Sequence, residues 1–125
     1  GIIEISSNVI RGVTEHGGVN NDGIIYEFDL NTNLYSHKKS FANFQCERPG
    51  SGITEASNGK LYGTTSEGGN NGYGVLYEMS IAGANITILV HFDQTNNGSR
   101  PFSKILETSS GLLYGTTSLG GDWSD

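Results

Sequence analysis

The chain has 125 residues, a net charge of −6, 19 glycines and one cysteine. The absence of a Lys/Arg cluster argues against a protein that binds nucleic acid, and apolar runs of only a few residues argue against a membrane span. One cysteine cannot form an internal disulfide, and the glycine-rich composition without helical apolar spacing predicts short strands joined by tight turns.

Two segments of the chain are identical over six residues. Residues 61–66 and 113–118 both read Leu-Tyr-Gly-Thr-Thr-Ser, lie 113 − 61 = 52 residues apart, and precede a Gly-Gly pair. A weaker copy begins at Ile10, 51 residues before the first. A fixed period of this length is typical of an array of supersecondary units, each of which buries its apolar face against its neighbours.

The first unit is predicted to contain four strands. Asn8 stands where the later copies have Gly59 and Gly111, and Asn is the residue other than Gly that best tolerates positive φ, so a hairpin turn is expected there. The third strand is predicted over residues 23–30 and the fourth over 34–41. Lys and His in the fourth strand indicate a solvent-facing edge.

The second unit has the same order of elements. Strands are predicted over residues 51–56 and 60–66, around an Asn58-Gly59 turn that is typical of a type I′ hairpin. The third and fourth strands follow at 74–80 and 86–92. Glycine recurs inside the second strand of every unit, which predicts that another backbone approaches it closely; these residues are Gly12, Gly63 and Gly115.

The last part of the chain begins a third unit. After a polar connection over residues 93–100, strands are predicted at 102–108 and 112–118 around a turn at 109–111. Four antiparallel strands repeated about every 50 residues are typical of a β-propeller blade. The expected fold is therefore all-β, a propeller-type array in one repeat domain over residues 1–125.

The predicted array is incomplete as a ring. It holds blade 1 (residues 1–42), blade 2 (51–93) and the first hairpin of blade 3 (102–118), or 125/52, about 2.4 units, whereas closed propellers need roughly 4 to 8 blades. We interpret the chain as a piece of a longer polypeptide, whose remaining blades would be its partners. The alternative is self-assembly of several short chains into one ring.

Four motifs make the resemblance to a known family specific. They are the Leu-Tyr-Gly-Thr-Thr-Ser-x-Gly-Gly block, the Gly-Val-Leu-Tyr-Glu-Met strand (74–79), the Val-His-Phe ending (90–92) and the Pro-Phe-x-x-x-Leu-Glu-x-Ser-x-Gly lead-in (101–111). Over essentially the whole chain this pattern resembles the GloVer (Gloeo/Verruco) tandem repeat of bacterial secreted proteins, and more distantly kelch repeats. The first copy departs from it, with Arg11 for Tyr and Val13 for Thr.

The resemblance implies a propeller-like array on an exported bacterial protein, located outside the cell or at its surface. It implies no established catalytic activity, and such proteins commonly carry a separate C-terminal anchor. The expected function is a non-catalytic repeat scaffold or binding module. The alternative is a segment of a propeller enzyme, of the glycosidase or lyase type, whose catalytic residues lie outside this chain.

No catalytic, cofactor-binding or metal-binding constellation is predicted. The three histidines fall at different positions of the repeat, without the spacing of zinc ligands. Repeated carboxylates, such as Glu27 with Glu78, are expected to serve the blade itself, because catalysis needs an asymmetric site. The segment from Asp29 to Asn33 imitates a calcium loop but lacks Gly at position six and Glu at position twelve, so a plain Asx turn is expected.

The loops that contain the Gly-Gly pairs are the candidate ligand loops. They are expected on one rim of the array, where Asn side chains would hydrogen-bond and aromatic rings would stack against a glycan or protein ligand. The alternative is a connector in which Gly supplies positive φ and Asn caps the turn. The candidate residues are Asn20, Asn21, Asn70, Asn71, Tyr73 and Trp123.

Overall fold

A computed structural model describes residues 1–42 and 45–121. Within these residues there is no helix and every strand pair is antiparallel, which confirms the predicted all-β class. Sheet 1 has the order β1-β2-β3-β4, with strands at Ile2–Ser6, Val9–Thr14, Ile24–Asp29 and Leu34–Ser40. Sheet 2 has the order β5-β6-β7-β8, with strands at Ile53–Glu55, Lys60–Thr65, Val75–Ser80 and Ile86–His91.

The C-terminal strands form two short pairs, and here the prediction was partly wrong. β9 (Ser99–Pro101) pairs with β12 (Thr117–Leu119), and β10 (Leu106–Glu107) pairs with β11 (Leu113–Tyr114). The expected strand at 102–108 is thus reduced to two residues, and a strand lies in the supposed polar connection. Within the described residues no third strand flanks β11 and β12, so their ladder lacks the pairing that lengthens β6.

Each first hairpin turns through a residue in the left-handed region, as predicted. The φ angles are 64° at Asn8, 74° at Gly59 and 79° at Gly111. The predicted type I′ turn was wrong, because Asn58 does not share the positive φ of Gly59. Gly59 N donates to Ala56 O at 2.9 Å and Ala56 N donates to Lys60 O at 2.9 Å. This pattern is a type I turn closed by a one-residue bulge.

Two of the three glycines predicted inside second strands, Gly12 and Gly63, face aromatic rings. Gly12 pairs across the ladder with Tyr26, and Gly63 with Tyr77. A Cβ at Gly12 would lie 2.5 Å from the Tyr26 ring, and one at Gly63 would lie 2.4 Å from the Tyr77 hydroxyl. The predicted crowding is confirmed, although the nearest neighbour is the ring of the adjacent strand, which covers the glycine. At Gly63 a backbone atom is also close, since Gly52 O lies 3.1 Å from the Cβ position, whereas Gly115 meets only the side chains of Ile105 and Ser103.

The main hydrophobic core lies between the two sheets. Phe41 at the end of sheet 1 packs against Tyr77 of sheet 2, with ring centroids 5.7 Å apart. Burial of this apolar surface holds the sheets together, at about 25 cal/mol per Å². The buried members of the core are Val13, Ile25, Phe41, Cys46, Ile53, Leu61, Val75, Tyr77 and Met79.

Arg11 joins the two sheets by hydrogen bonds. It is 2% exposed, and its Nη1 donates to Ser80 O at 3.0 Å and Gly83 O at 3.2 Å, while Nη2 donates to Ile81 O at 2.8 Å. Its Nε and Nη2 also bond to the Glu27 carboxylate of its own sheet. Every N–H of the guanidinium therefore has an acceptor, which is what a buried charge requires.

A repeated backbone joint connects each unit to the next. Arg48 N donates to Asp22 O at 3.0 Å, and Arg100, 52 residues later, donates in the same way to Tyr73 O at 3.0 Å. Both arginines have positive φ, 57° and 50°, and both precede proline. The carbonyl of Arg48 accepts from Ser66 N at 3.1 Å. One strained residue thus links the loop of one sheet to the second strand of the next.

Candidate functional site

The Gly-Gly loops lie between the second and third strands of each sheet and are built alike. Gly23 N donates to Gly17 O at 3.0 Å, and the corresponding Gly74 N donates to Gly68 O at 3.0 Å. A Cβ at Gly23 would lie 2.2 Å from Thr14 O, where φ is +103°. Only glycine fits such a position. We call the surface formed by these two loops, residues 15–23 and 66–74, the Gly-Gly rim.

The end of the fourth strand anchors each loop of the Gly-Gly rim. In sheet 1, Val19 N donates to Ser40 Oγ at 3.3 Å. In sheet 2, Asn70 N donates to His91 Nδ1 at 3.1 Å. The backbone path is therefore fixed in the same way in both units although the anchoring side chains differ.

Two of the predicted ligand residues hold their loops in place, Asn21 by a bond within the loop and Asn71 by a bond to the chain just after the fourth strand. Asn21 Oδ1 accepts from Gly17 N at 3.0 Å, and Asn71 Nδ2 donates to Phe92 O at 3.2 Å. These bonds support the alternative interpretation, in which the Asn amides hold the turn. Asn20 and Asn70 are exposed. Trp123 lies outside the described residues.

Tyr73 lies in a groove on the Gly-Gly rim. The groove has a volume of about 430 Å³, and its floor contains Gly68, Gly69 and Gly72. Tyr73 is 36% exposed, so part of its ring is open to a ligand. The polar side chains that complete the lining are Glu47, Glu67 and Arg100.

The sequence reasoning missed these three charged residues. Glu47 and Glu67 face each other in an isolated antiparallel bridge between the connection and the loop. Arg100 reaches the groove because its backbone is bonded to the Tyr73 carbonyl. The repeated Arg-Pro pair could have indicated Arg100, since it marks the joint beside each loop. The presence of charged residues in the sequence did not show which of their side chains would meet there.

The two carboxyl groups of the groove have different electrostatic environments. Burial raises the pKa of Glu47, the nearby Asp22 and Glu67 carboxylates raise it further, and Arg48 only partly offsets them. Glu67 is held by Arg48, whose Nη1 lies 2.8 Å from Glu67 Oε1. The groove thus combines a carboxyl group with a raised pKa, an ion-paired carboxylate, an arginine and an aromatic face.

The repeated scaffold carries different side chains at the groove positions. Tyr73 corresponds to Asp22 in sheet 1, with a step of 51 residues. Glu67 corresponds to His16 at the same step and to Leu119 at a step of 52. The backbone bonds of the loop and the joint are the same in both sheets, and Arg100 repeats Arg48, whereas Tyr73 and Glu67 are specific to the groove.

The repeated carboxylates make structural contacts. Glu27 binds Arg11 and also Lys38, with Nζ 2.8 Å from Oε2. Glu78 accepts from Lys60 Nζ at 2.7 Å. Glu107 accepts from Ser57 of sheet 2, with the backbone N at 2.8 Å and Oγ at 2.6 Å.

The supposed calcium loop is an Asx turn, as expected. Asp29 Oδ1 accepts from Asn31 N at 2.8 Å and from Thr32 N at 3.3 Å, and these bonds lower the pKa of Asp29, that from Asn31 most. Cys46 lies in the core, where burial raises the pKa of its thiol to about 11. Among residues 1–42 and 45–121, no three His, Cys, Asp or Glu side chains are grouped to hold a metal ion. The same residues contain no helix able to cross a bilayer.

Comparison with known proteins identifies the family. A family model described as the Gloeobacter/Verrucomicrobia repeat matches residues 1–125. The chain therefore belongs to this repeat family, which confirms the resemblance seen in its motifs. No curated protein and no solved structure matches the chain.

Proposed function

We propose that this repeat-family chain is a non-catalytic scaffold of the β-propeller type, on an exported bacterial protein, and that its Gly-Gly rim binds a glycan. The observation that carries the proposal is the groove at Tyr73. Its backbone and its arginine are repeated, while Tyr73, Glu47 and Glu67 differ from the residues at the same repeat positions. Constant scaffolds with variable loops are the usual construction of binding modules.

Contacts between successive units support the propeller arrangement. The first strands of the two sheets are adjacent, since a Cβ on Gly1 would lie 2.8 Å from Gly52 Cα. The next pair of first strands also meets, because Thr54 Oγ1 donates to Ile105 O at 2.8 Å. Inner strands that follow one another around an axis, joined by one repeated connection, are what successive propeller blades require.

The chemistry of the groove supports a glycan. Sugars present one apolar ring face and many hydroxyl groups, so they are bound by an aromatic side chain together with a few polar groups. Tyr73 supplies the aromatic face, while Glu47 and Arg100 supply an acceptor and donors. A protein ligand is the other partner that such a rim would accept.

The structural use of the repeated carboxylates supports a role without catalysis. Glu27 and Glu78 are occupied by cations of their own sheet, so they are not a pair of acids facing a substrate. The competing proposal remains a propeller enzyme whose catalytic residues lie outside this chain. Hydrolysis or elimination products released from a bound glycan by the full-length protein would favour that proposal.

A glycan array with the immobilised chain tests the binding proposal. We expect saturable binding to a subset of glycans that Tyr73→Ala abolishes and Tyr73→Phe retains, because the ring face makes the contact. Arg100→Asn should weaken binding while keeping the positive φ of the joint, since Asn tolerates that conformation.

Leu30→Ala is the matched control. Leu30 is 49% exposed and lies in the β3–β4 turn, at the strand ends opposite the Gly-Gly rim, so this variant should bind like the unchanged chain. Absence of any glycan or cell-surface ligand above background would contradict the proposal and leave a structural spacer. Detection of the protein in the cytoplasm after fractionation of its host would contradict the proposed export.

A further inference from the structure

A second cavity, of about 210 Å³, lies between sheet 2 and the C-terminal strands. Its walls include Leu76 and Phe92 of sheet 2 together with Ile105, Leu113 and Gly115. The volume is below the roughly 300 Å³ at which sites for small molecules begin. The cavity therefore fits one large side chain better than a ligand or cofactor.

The repeat identifies which side chain occupies such a space. The five wall residues have counterparts 51 or 52 residues earlier, at the contact between sheets 1 and 2: Ile25, Phe41, Ile53, Leu61 and Gly63. There, Tyr77 is packed in one cluster with the first four, fully buried, and its ring lies 5.7 Å from that of Phe41. Gly63 leaves room for the Tyr77 ring, as described above.

The backbone beside the cavity also matches. Tyr77 belongs to β7, which pairs with β6 so that Tyr77 stands opposite Gly63. The strands β11 and β12 occupy the repeat position of β6, and within the described residues they pair with β10 and β9 only. At the place where β7 lies in sheet 2, no strand of the described residues pairs with their second edge. A strand edge of this kind accepts an added strand.

We propose that the cavity is a tyrosine socket and that this second edge of β11 and β12 binds an extended segment with the β7 pattern, apolar-x-Tyr-x-apolar. The occupant is a third strand from another unit of this same repeat, one that has no partner strand of its own. Its residue pattern is that of Val75, Tyr77 and Met79 in β7. Backbone hydrogen bonds supply the affinity of such strand addition, and the side chain in the socket supplies the specificity. This binding is independent of the glycan groove, since it uses a different cavity.

Peptide binding to the whole chain tests the socket. A fluorescent peptide of residues 74–81 should bind saturably, measured by fluorescence anisotropy, and a peptide carrying Tyr77→Ala should bind at least about tenfold more weakly. A Tyr77→Phe peptide should bind as well as the parent, because within the described residues the Tyr77 hydroxyl has no hydrogen-bond partner.

Variants of the chain provide the reciprocal test. Gly115→Ala should lower the affinity for the parent peptide by a similar factor. Gly115 is the counterpart of Gly63, where an added Cβ would lie 2.4 Å from the Tyr77 hydroxyl. The variant should fold, since the nearest atoms to that Cβ are Ile105 Cδ1 at 3.0 Å and Ser103 Oγ at 3.3 Å, both ends of side chains. Ser110→Ala, on the exposed turn of the same hairpin, should bind normally.

Three results would overturn the proposal. The first is no saturable binding of the parent peptide, and the second is equal binding of the parent and Tyr77→Ala peptides. The third is unchanged affinity in a folded Gly115→Ala chain, as judged by its circular dichroism. The peptide comparison uses the unchanged chain, so it stands even if Gly115→Ala fails to fold.

Discussion

At the scale of single residues, Arg11 shows how one substitution within a repeat changes its energetics. Arg11→Ala would remove the hydrogen bonds that the guanidinium donates to the carbonyls of Ser80, Ile81 and Gly83 and leave the half-buried Glu27 with Lys38 alone. We expect a loss of about 3 kcal/mol in the free energy of unfolding, measured by urea denaturation. Lys38→Ala is the control and should cost under about 1 kcal/mol, because Lys38 is largely solvated.

The same ion pair predicts a dependence on pH. Burial raises the pKa of Glu27, but hydrogen bonds and positive charge from Lys38 and Arg11 outweigh it, so the net pKa lies below its ordinary value of 4.5. Its stabilising effect is therefore present above pH 4.5 and is lost as the pH falls through the lowered pKa. The stability difference between the unchanged chain and Glu27→Gln should shrink over that range; a constant difference would contradict this assignment.

Tyr77 gives a prediction of the opposite sign. Its hydroxyl is buried without a hydrogen-bond partner in the described part of the chain, and burial raises its pKa. Tyr77→Phe should raise the free energy of unfolding by about 1 kcal/mol, since an unpaired buried hydroxyl is costly. Tyr62→Phe should lower it by about 1 kcal/mol, because the Tyr62 hydroxyl accepts from Asn58 Nδ2 at 2.8 Å. Equal effects of the two substitutions would be inconsistent with these environments.

At the scale of elements, the hairpin turns depend on one backbone conformation. Gly59 has a φ of 74° and no atom within 4 Å of where its Cβ would stand. Gly59→Ala should therefore destabilise the chain by about 1 to 2 kcal/mol through the backbone alone. Gly59→Asn should cost less than half as much, as Asn8 already fills this position in sheet 1. Thermal unfolding of both variants would show whether the order is reversed.

Strand order and strand positions in sheets 1 and 2 could be predicted because their signals are local. Alternating apolar residues and the turn residues Asn8 and Gly59 fix the register within a few positions. After residue 98 the predicted hairpin is present but its strands are shortened and interrupted, and β9 was missed, since β9 pairs with β12 and not with its neighbour in sequence. The charged lining of the groove was missed for the same reason: Glu47 meets Glu67 through a contact between units, which a single unit does not encode.

At the scale of the whole molecule, sheet 1 exposes the surface that sheet 2 buries. Ile2 is 59% exposed and its counterpart Ile53 only 1%, and Tyr35, the counterpart of the half-buried Ile86, is 55% exposed. We expect the chain to associate as its concentration rises, because the exposed apolar face of sheet 1 would be buried against a second copy in a head-to-tail arrangement.

Sedimentation velocity measures this association. The double substitution Ile2→Lys and Tyr35→Lys should shift the chain toward the monomer, because it places two charges on the apolar face. Leu30→Lys adds a charge outside this face and should leave the association unchanged. A chain that stays monomeric at every concentration tested would contradict the prediction.

The Arg-Pro joint determines when one backbone hydrogen bond of each rim loop can form during synthesis on the ribosome. The Asp22 carbonyl is bonded to the amide of residue 48, and the Tyr73 carbonyl to the amide of residue 100. The bond between each rim loop and the next unit therefore forms only after 26 or 27 further residues have been translated. At roughly 5 to 20 residues per second, that delay lasts about one to five seconds. During synthesis each loop is therefore held first by the bonds of its own unit, and the bond to the following unit is added later.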